Sequence, residues 1–184
     1  LHALGKLDEA VASYNNAIAI NPNYAEAYFN LGNVLKDNGK LDDAATNYNK
    51  AVSIKPDYVV AYSNLGNVFI ELGKIDEAVA SCNEALNIKP DYAEAHSNLG
   101  GALQELGRLD EAVISYNNAL AFKPNLAEVY SNLGNVLNNI GKPAEALESC
   151  NKAICIKPDY AEAYSNLGNV LKALGLLDEA VASY

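Results

Sequence analysis

The 184-residue sequence predicts an all-α fold, a right-handed α-solenoid (superhelix) of antiparallel helix pairs with a 34-residue period. Three series of residues carry that expectation. Proline stands at positions 22, 56, 90, 124 and 158, always 34 apart. Gly32, Gly66, Gly100, Gly134 and Gly168 keep the same step, as do Gly5, Gly39, Gly73, Gly107, Gly141 and Gly175. A fixed internal period of this length marks a stack of like units whose core lies between neighbours rather than in one closed globule. Such stacks present long surfaces that bind other chains.

The period divides the chain, a single array over 1–184, into a partial repeat at 1–24, full repeats at 25–58, 59–92, 93–126 and 127–160, and a second partial repeat at 161–184. One unit shows the logic. Its first helix is expected over about Val59 to Leu72, because Tyr62, Leu65, Val68 and Phe69 fall on one helical stripe. Gly73 stands where a left-handed C-terminal residue belongs. Gly66 lies inside the helix, where glycine costs about 1 kcal/mol against alanine, so its recurrence points to close approach of a partner helix. The second helix starts near Asp76 and Glu77, whose carboxylates suit the positive end of the helix dipole and could cap free N–H groups. Pro143 occupies the equivalent first turn in a later copy, where proline is tolerated. Ala78, Cys82, Ala85 and Leu86 form the buried stripe, and Pro90 stops the helix. Tyr24, Tyr58, Tyr92 and Tyr160, with Leu126 in the remaining copy, are expected to wedge between adjacent repeats.

Composition excludes several classes of function. The net charge is −10, from 13 basic and 23 acidic residues, so there is no basic stripe to replace counterions on a nucleic acid. The same balance disfavours an anionic membrane surface, and no apolar run approaches the ~20 residues needed to span a bilayer. Cys82, Cys150 and Cys155 are too few and too unevenly placed for a disulfide framework. Cys82 and Cys150 take the repeat position held elsewhere by Tyr14, Tyr48, Tyr116 and Tyr184, which makes them small core substitutes. Reduced thiols suit an intracellular, cytoplasmic setting. His2 and His96 lie in different repeats and read as surface or groove filling. No Cys–His cluster has metal spacing and the glycines follow the repeat, so no metal, no cofactor and no catalytic residue is assigned. Residues 1–14 nearly copy 171–184, and no initiator Met or signal peptide is present, so the chain reads as a slice of a longer array.

The pattern of one copy, Tyr62, Leu65-Gly66, Phe69, Ala78, Cys82, Ala85 and Pro90, resembles the tetratricopeptide repeat over the whole chain. That resemblance implies that the first helix of each pair lines a concave groove. The groove face would then carry Glu26, Asn30, Asn33 and Asp37 in one copy, and Ser63, Asn64, Asn67 and Glu71 in the next. Later copies supply Glu94, Ser97, Asn98 and Glu105, then Glu128, Ser131, Asn132 and Asn135, then Glu162, Ser165, Asn166 and Asn169. Two asparagine rows result. One is Asn30, Asn64, Asn98, Asn132 and Asn166; the other is Asn33, Asn67, Asn135 and Asn169, interrupted by Gly101.

Asparagine is a poor residue inside a helix, because its amide competes for backbone groups. Two explanations stand side by side. The amides form a ladder for an extended peptide, each offering a donor and an acceptor to its backbone. Alternatively they tie adjacent first helices together. The Asn-Leu-Gly-Asn-Val-Leu run is similar to the repeat region of the O-linked N-acetylglucosaminyltransferases and their bacterial relatives, where such asparagines hold substrate backbone; a substrate-recognition arm of a larger enzyme is therefore one alternative. Chaperone-tail readers of the family carry Lys and Arg beside such asparagines, whereas Phe29, Ser63, Ser97, Ser131 and Ser165 stand here, which discounts that subtype. Five ladder bonds supply about 5 kcal/mol against an association cost of at least about 4, so a weak, sequence-tolerant interaction is expected. The carboxylates at the groove rim favour neutral or basic extended peptides. A second class of behaviour is end-to-end self-association into a continuous superhelix, since unlike ends make a contact that runs on.

Overall fold

The structure is a computed structural model that describes residues 7–183; the first six residues of the opening partial repeat, with His2 and Gly5, and Tyr184 lie outside them. Among the described residues there are eleven helices and no strand. They are α1 (Leu7–Ile20), α2 (Ala25–Asp37), α3 (Leu41–Ile54), α4 (Val59–Glu71), α5 (Ile75–Ile88), α6 (Ala93–Glu105), α7 (Leu109–Phe122), α8 (Ala127–Asn139), α9 (Pro143–Ile156), α10 (Ala161–Ala173) and α11 (Leu177–Ser183). The first helices of successive repeats start at Ala25, Val59, Ala93, Ala127 and Ala161, in step with the 34-residue period. The chain divides between Pro90 and Asp91 into two compact units. The first contains α1–α5 and the second α6–α11.

The turn within each repeat follows from backbone chemistry. Gly39, Gly73, Gly107, Gly141 and Gly175 all have positive φ, between 71° and 80°. Behind each, the chain closes a Schellman pair, as when Lys40 N–H donates to the Leu35 carbonyl and Gly39 N–H to that of Lys36, both at 2.9 Å. At the other end the expected carboxylate cap is not made. The residue before α5 is Lys74, which forms no side-chain cap, and Asp76 and Glu77 lie inside the first turn. There they complement the helix dipole without closing a hydrogen bond on its free N–H groups. Pro143 does open α9, as expected.

The core of the first unit gathers Leu31, Leu35, Ala44, Tyr48, Leu65 and Val68. That of the second gathers Leu103, Ala112, Tyr116, Leu133, Val136, Cys150 and Val170. Both buried thiols occupy the tyrosine position of the repeat. Burial pushes Cys82 up to about 12 and Cys150 up to about 11, so each stays a protonated core side chain. Of the expected wedges, Tyr58 packs its ring 5.0 Å from that of Phe29 and Leu126 packs on the second core. Tyr24 is 44% exposed, more open than a wedge between repeats would be.

The interior glycines have a packing cause. A Cβ at Gly66 would lie 2.6 Å from Cys82 Sγ and 3.3 Å from the Ala78 carbonyl oxygen, and one at Gly134 would meet Cys150 Sγ at 2.6 Å. Against tyrosine the fit is the same: Cβ atoms at Gly32 and Gly100 would fall 2.7 and 2.6 Å from the rings of Tyr48 and Tyr116. In an open helix Gly→Ala would stabilise by about 1 kcal/mol. At Gly66 overpacking costs about 1–3 kcal/mol, and the backbone at Ala78 blocks one route of relief. Gly66→Ala is therefore expected to lower the denaturant midpoint; a raised midpoint would show that the helices have room to separate.

Candidate functional site

The first helix of each repeat presents its polar face through residues three and four apart, a spacing that keeps side chains on one side of a helix. In the first unit, α2 and α4 bring the two asparagine rows into contact. Asn33 Oδ1 accepts hydrogen bonds from Tyr48 Oη at 2.7 Å and from Asn64 Nδ2 at 3.0 Å. Asn67 Oδ1 accepts from Lys36 Nζ at 2.7 Å, and the same ammonium lies 4.0 Å from Glu71. Asn30 is half-buried on α2. The buried Tyr48 phenol is pushed up to about 12, chiefly by loss of solvent, so it remains an O–H donor throughout the neutral range.

The second unit holds a cavity of about 680 Å3. Five of the residues expected from sequence line it: Glu94, Ser97, Asn98, Glu128 and Glu162. They come from the N-terminal halves of α6, α8 and α10. Leu126, Lys157 and Tyr160 close its remaining walls from the connections between repeats. Tyr160 Oη donates to Glu162 Oε2 at 3.0 Å, and Lys157 Nζ lies 4.8 Å from the Tyr160 ring centre. Burial first, then the Glu162 carboxylate, push the Tyr160 phenol up to about 12.

Outside the cavity, Asn166 Nδ2 donates to Ser131 Oγ at 2.9 Å, which joins α10 to α8. Asn132 hydrogen-bonds the buried Tyr116 phenol, which also donates to Gln104 Oε1 at 3.2 Å. Asn135 Oδ1 accepts from Asn139 Nδ2 on its own helix at 3.4 Å. Ser165 and Asn169 are exposed on α10. Ser63 and Ser131, expected at the rim, are 1% and 0% exposed and lie beneath the polar face. The reason is helical geometry: each precedes its asparagine by one residue, about 100° around the helix, and turns toward the neighbouring helix. Ser97 remains half-buried at the cavity.

The rim carboxylates are also less bare than sequence reasoning supposed. Lys55 Nζ lies 3.2 Å from Glu26, and Lys123 Nζ 2.9 Å from Glu94, each lysine reaching back from the end of its repeat to the start. Glu26 is held below the usual carboxylate range by its backbone hydrogen bond first and by Lys55 second. The signal for this pairing was present in the sequence, as a lysine before Pro56 and before Pro124, 29 residues after the glutamate in both cases.

Cross-helix bonds such as Asn64 to Asn33 and Asn166 to Ser131 tie adjacent first helices. They do not exhaust the amides, because a carboxamide has two donor hydrogens and two acceptor lone pairs. His96 stacks on Phe122, with ring centres 5.7 Å apart. Among the described residues no group of three or more His, Cys, Asp and Glu is placed to hold a metal ion, and no helix is long and apolar enough to cross a membrane.

Comparison with known proteins covers the full length. A family model described as TPR repeat matches residues 1–39, 32–73, 66–107 and 102–141. Models described as Tetratricopeptide repeat match 127–160 and 161–184. Among solved structures, the MamA protein is 28% identical, with a TM-score of 0.74 over 86% of this chain and 87% of that one. YrrB, described as a TPR protein with an unusual peptide-binding site, is 27% identical, with a TM-score of 0.75 over 92% of this chain and 91% of that one. A thermophilic TPR protein of Thermus thermophilus is 25% identical, with a TM-score of 0.72 over 99% and 94% of the two chains. No curated protein matches the chain.

Proposed function

We infer the function from one premise: the chain belongs to the tetratricopeptide repeat family. Its proposed role is that of a protein-interaction scaffold whose first helices grip an extended peptide segment. The observation that carries this reading is the cavity of about 680 Å3, in which carboxylates from three successive repeats meet the Asn98 amide and the Tyr160 ring. Such a site offers amide donors and acceptors for a peptide backbone, an aromatic wall for side-chain methylenes, and negative charge for an ammonium or guanidinium. The peptide-binding site named for YrrB, on a related fold, supports the same assignment.

The proposed partner is neutral or basic and extended. The charge preference is modest, because Lys123 already answers Glu94. A suitable probe is a dodecapeptide of alternating Lys and Thr, since threonine favours an extended chain. The wild-type protein is expected to bind it with a Kd on the order of micromolar: backbone hydrogen bonds alone barely exceed the cost of association, so the carboxylates and the Tyr160 wall must supply the rest. Joint replacement Glu94→Gln, Glu128→Gln and Glu162→Gln removes three solvent-accessible charges, each worth at most about 1 kcal/mol, and is expected to weaken binding about tenfold. Added salt should weaken the wild type and leave the triple variant nearly unchanged. Equal binding of an alternating Glu and Thr peptide would contradict the charge preference.

A further inference from the structure

The buried tyrosine at 48 has a consequence for how the asparagine rows meet a ligand. Its ring is fully buried and lies against Gly32, where a Cβ would come within 2.7 Å, so the phenol is held in place. From there its hydroxyl crosses beneath α2 and donates to Asn33 Oδ1. The same oxygen accepts from Asn64 Nδ2, and two hydrogen bonds occupy both lone pairs of an amide carbonyl. The only hydrogen-bonding capacity left on Asn33 is its pair of N–H donors. Asn64 also donates to the Tyr48 phenol, so its N–H side is spent on the protein while its carbonyl oxygen is kept.

We propose that Tyr48 is a positioning residue that turns the Asn33 amide oxygen inward, so that Asn33 meets a bound peptide through its N–H groups and takes a backbone carbonyl there. This rests on the peptide-binding role inferred above. The neighbouring Asn64 oxygen then takes a backbone N–H, and the two amides together give this step of the binding face a fixed polarity. Position 82, one repeat on, carries cysteine, whose thiol is too short for this reach; Asn67 accepts from the Lys36 ammonium instead. The polarity of the asparagine row is thus set at Asn33 by the core residue Tyr48 and at Asn67 by Lys36, both from the same repeat.

Two variants test the assignment, with the alternating Lys and Thr dodecapeptide as probe. Tyr48→Phe keeps the ring and removes the hydroxyl; Tyr48→Cys, the side chain already present at 82, serves if the first does not fold. Side-chain amide resonances of Asn33 and Asn64 in 1H–15N spectra are expected to move in either variant, and probe affinity to fall about threefold to tenfold. Asn33→Asp leaves two acceptor oxygens for Tyr48 and Asn64, removes both donors, and adds a charge that by itself attracts the lysines. A weaker complex in Asn33→Asp therefore reports the lost donors. Unmoved amide resonances in the Tyr48 variants, unchanged affinity in them, or a tighter complex in Asn33→Asp would each overturn the proposal. A wild-type protein that binds no probe would overturn the peptide-binding reading itself, while the amide resonances would still report whether Tyr48 holds the two asparagines.

Discussion

Replacing Tyr116 by alanine is expected to destabilise the second unit by about 4 kcal/mol, because truncating a buried aromatic removes its transfer energy and leaves a cavity. The side chain is 1% exposed, packs into the core with Leu103, Leu120 and Leu133, and fills the space that Gly100 leaves open. The surroundings have little means of collapse, since the helix carrying Gly100 and the helix carrying Tyr116 are joined by a short, closed turn at Gly107. Tyr116→Phe isolates the hydroxyl, which serves Gln104 and Asn132, and should cost only about 1 kcal/mol. Denaturant unfolding of both variants separates packing from polar satisfaction. Equal losses would mean that the hydroxyl network, not the ring, holds the unit together.

The second large effect concerns binding. Joint replacement Asn64→Ala, Asn98→Ala and Asn132→Ala removes three of the amides proposed to hold a peptide. Each net hydrogen bond contributes about 0.5–1.5 kcal/mol, so three together are worth about 3 kcal/mol, or about a hundredfold in affinity. The structure adds a condition to this expectation. Asn64 and Asn132 are also tied within the protein, to Asn33 and to the Tyr116 phenol. Their loss must therefore be read beside the unfolding midpoint, so that a loosened helix pair is not counted as a lost ligand contact.

The fold was almost fully legible in the chain, for reasons local to each repeat. The stripe through Tyr62, Leu65, Val68 and Phe69 marks a helix that runs from Val59 to Glu71, one residue short of expectation. Gly66 was read as a point of close approach, and the Cys82 thiol lies where that close approach is made. Period and spacing suffice for such features because every repeat packs against a like neighbour. What stayed hidden depends on pairings 29 to 35 residues apart, where periodicity says only that a residue type recurs. Lys55 and Lys123 reach back to Glu26 and Glu94, and Ser131 takes a bond from Asn166. The division of contacts between Pro90 and Asp91 likewise leaves no mark in a sequence whose turns all look alike. The likeness to the glycosyltransferase repeat region rests on the Asn-Leu-Gly-Asn-Val-Leu run, which recurs on α2, α8 and α10 but spans less than two turns of each.

The asparagine row is proposed as a ligand surface as well as a tie between helices. The measurement that tests this most directly is titration of the alternating Lys and Thr dodecapeptide into the wild type and the Asn64→Ala, Asn98→Ala, Asn132→Ala variant, with unfolding midpoints taken on the same samples. Saturable binding to the wild type is expected, with about a hundredfold weaker binding to a variant that still unfolds cooperatively. Equal affinity for both proteins would contradict the proposal and leave the row as a purely structural tie.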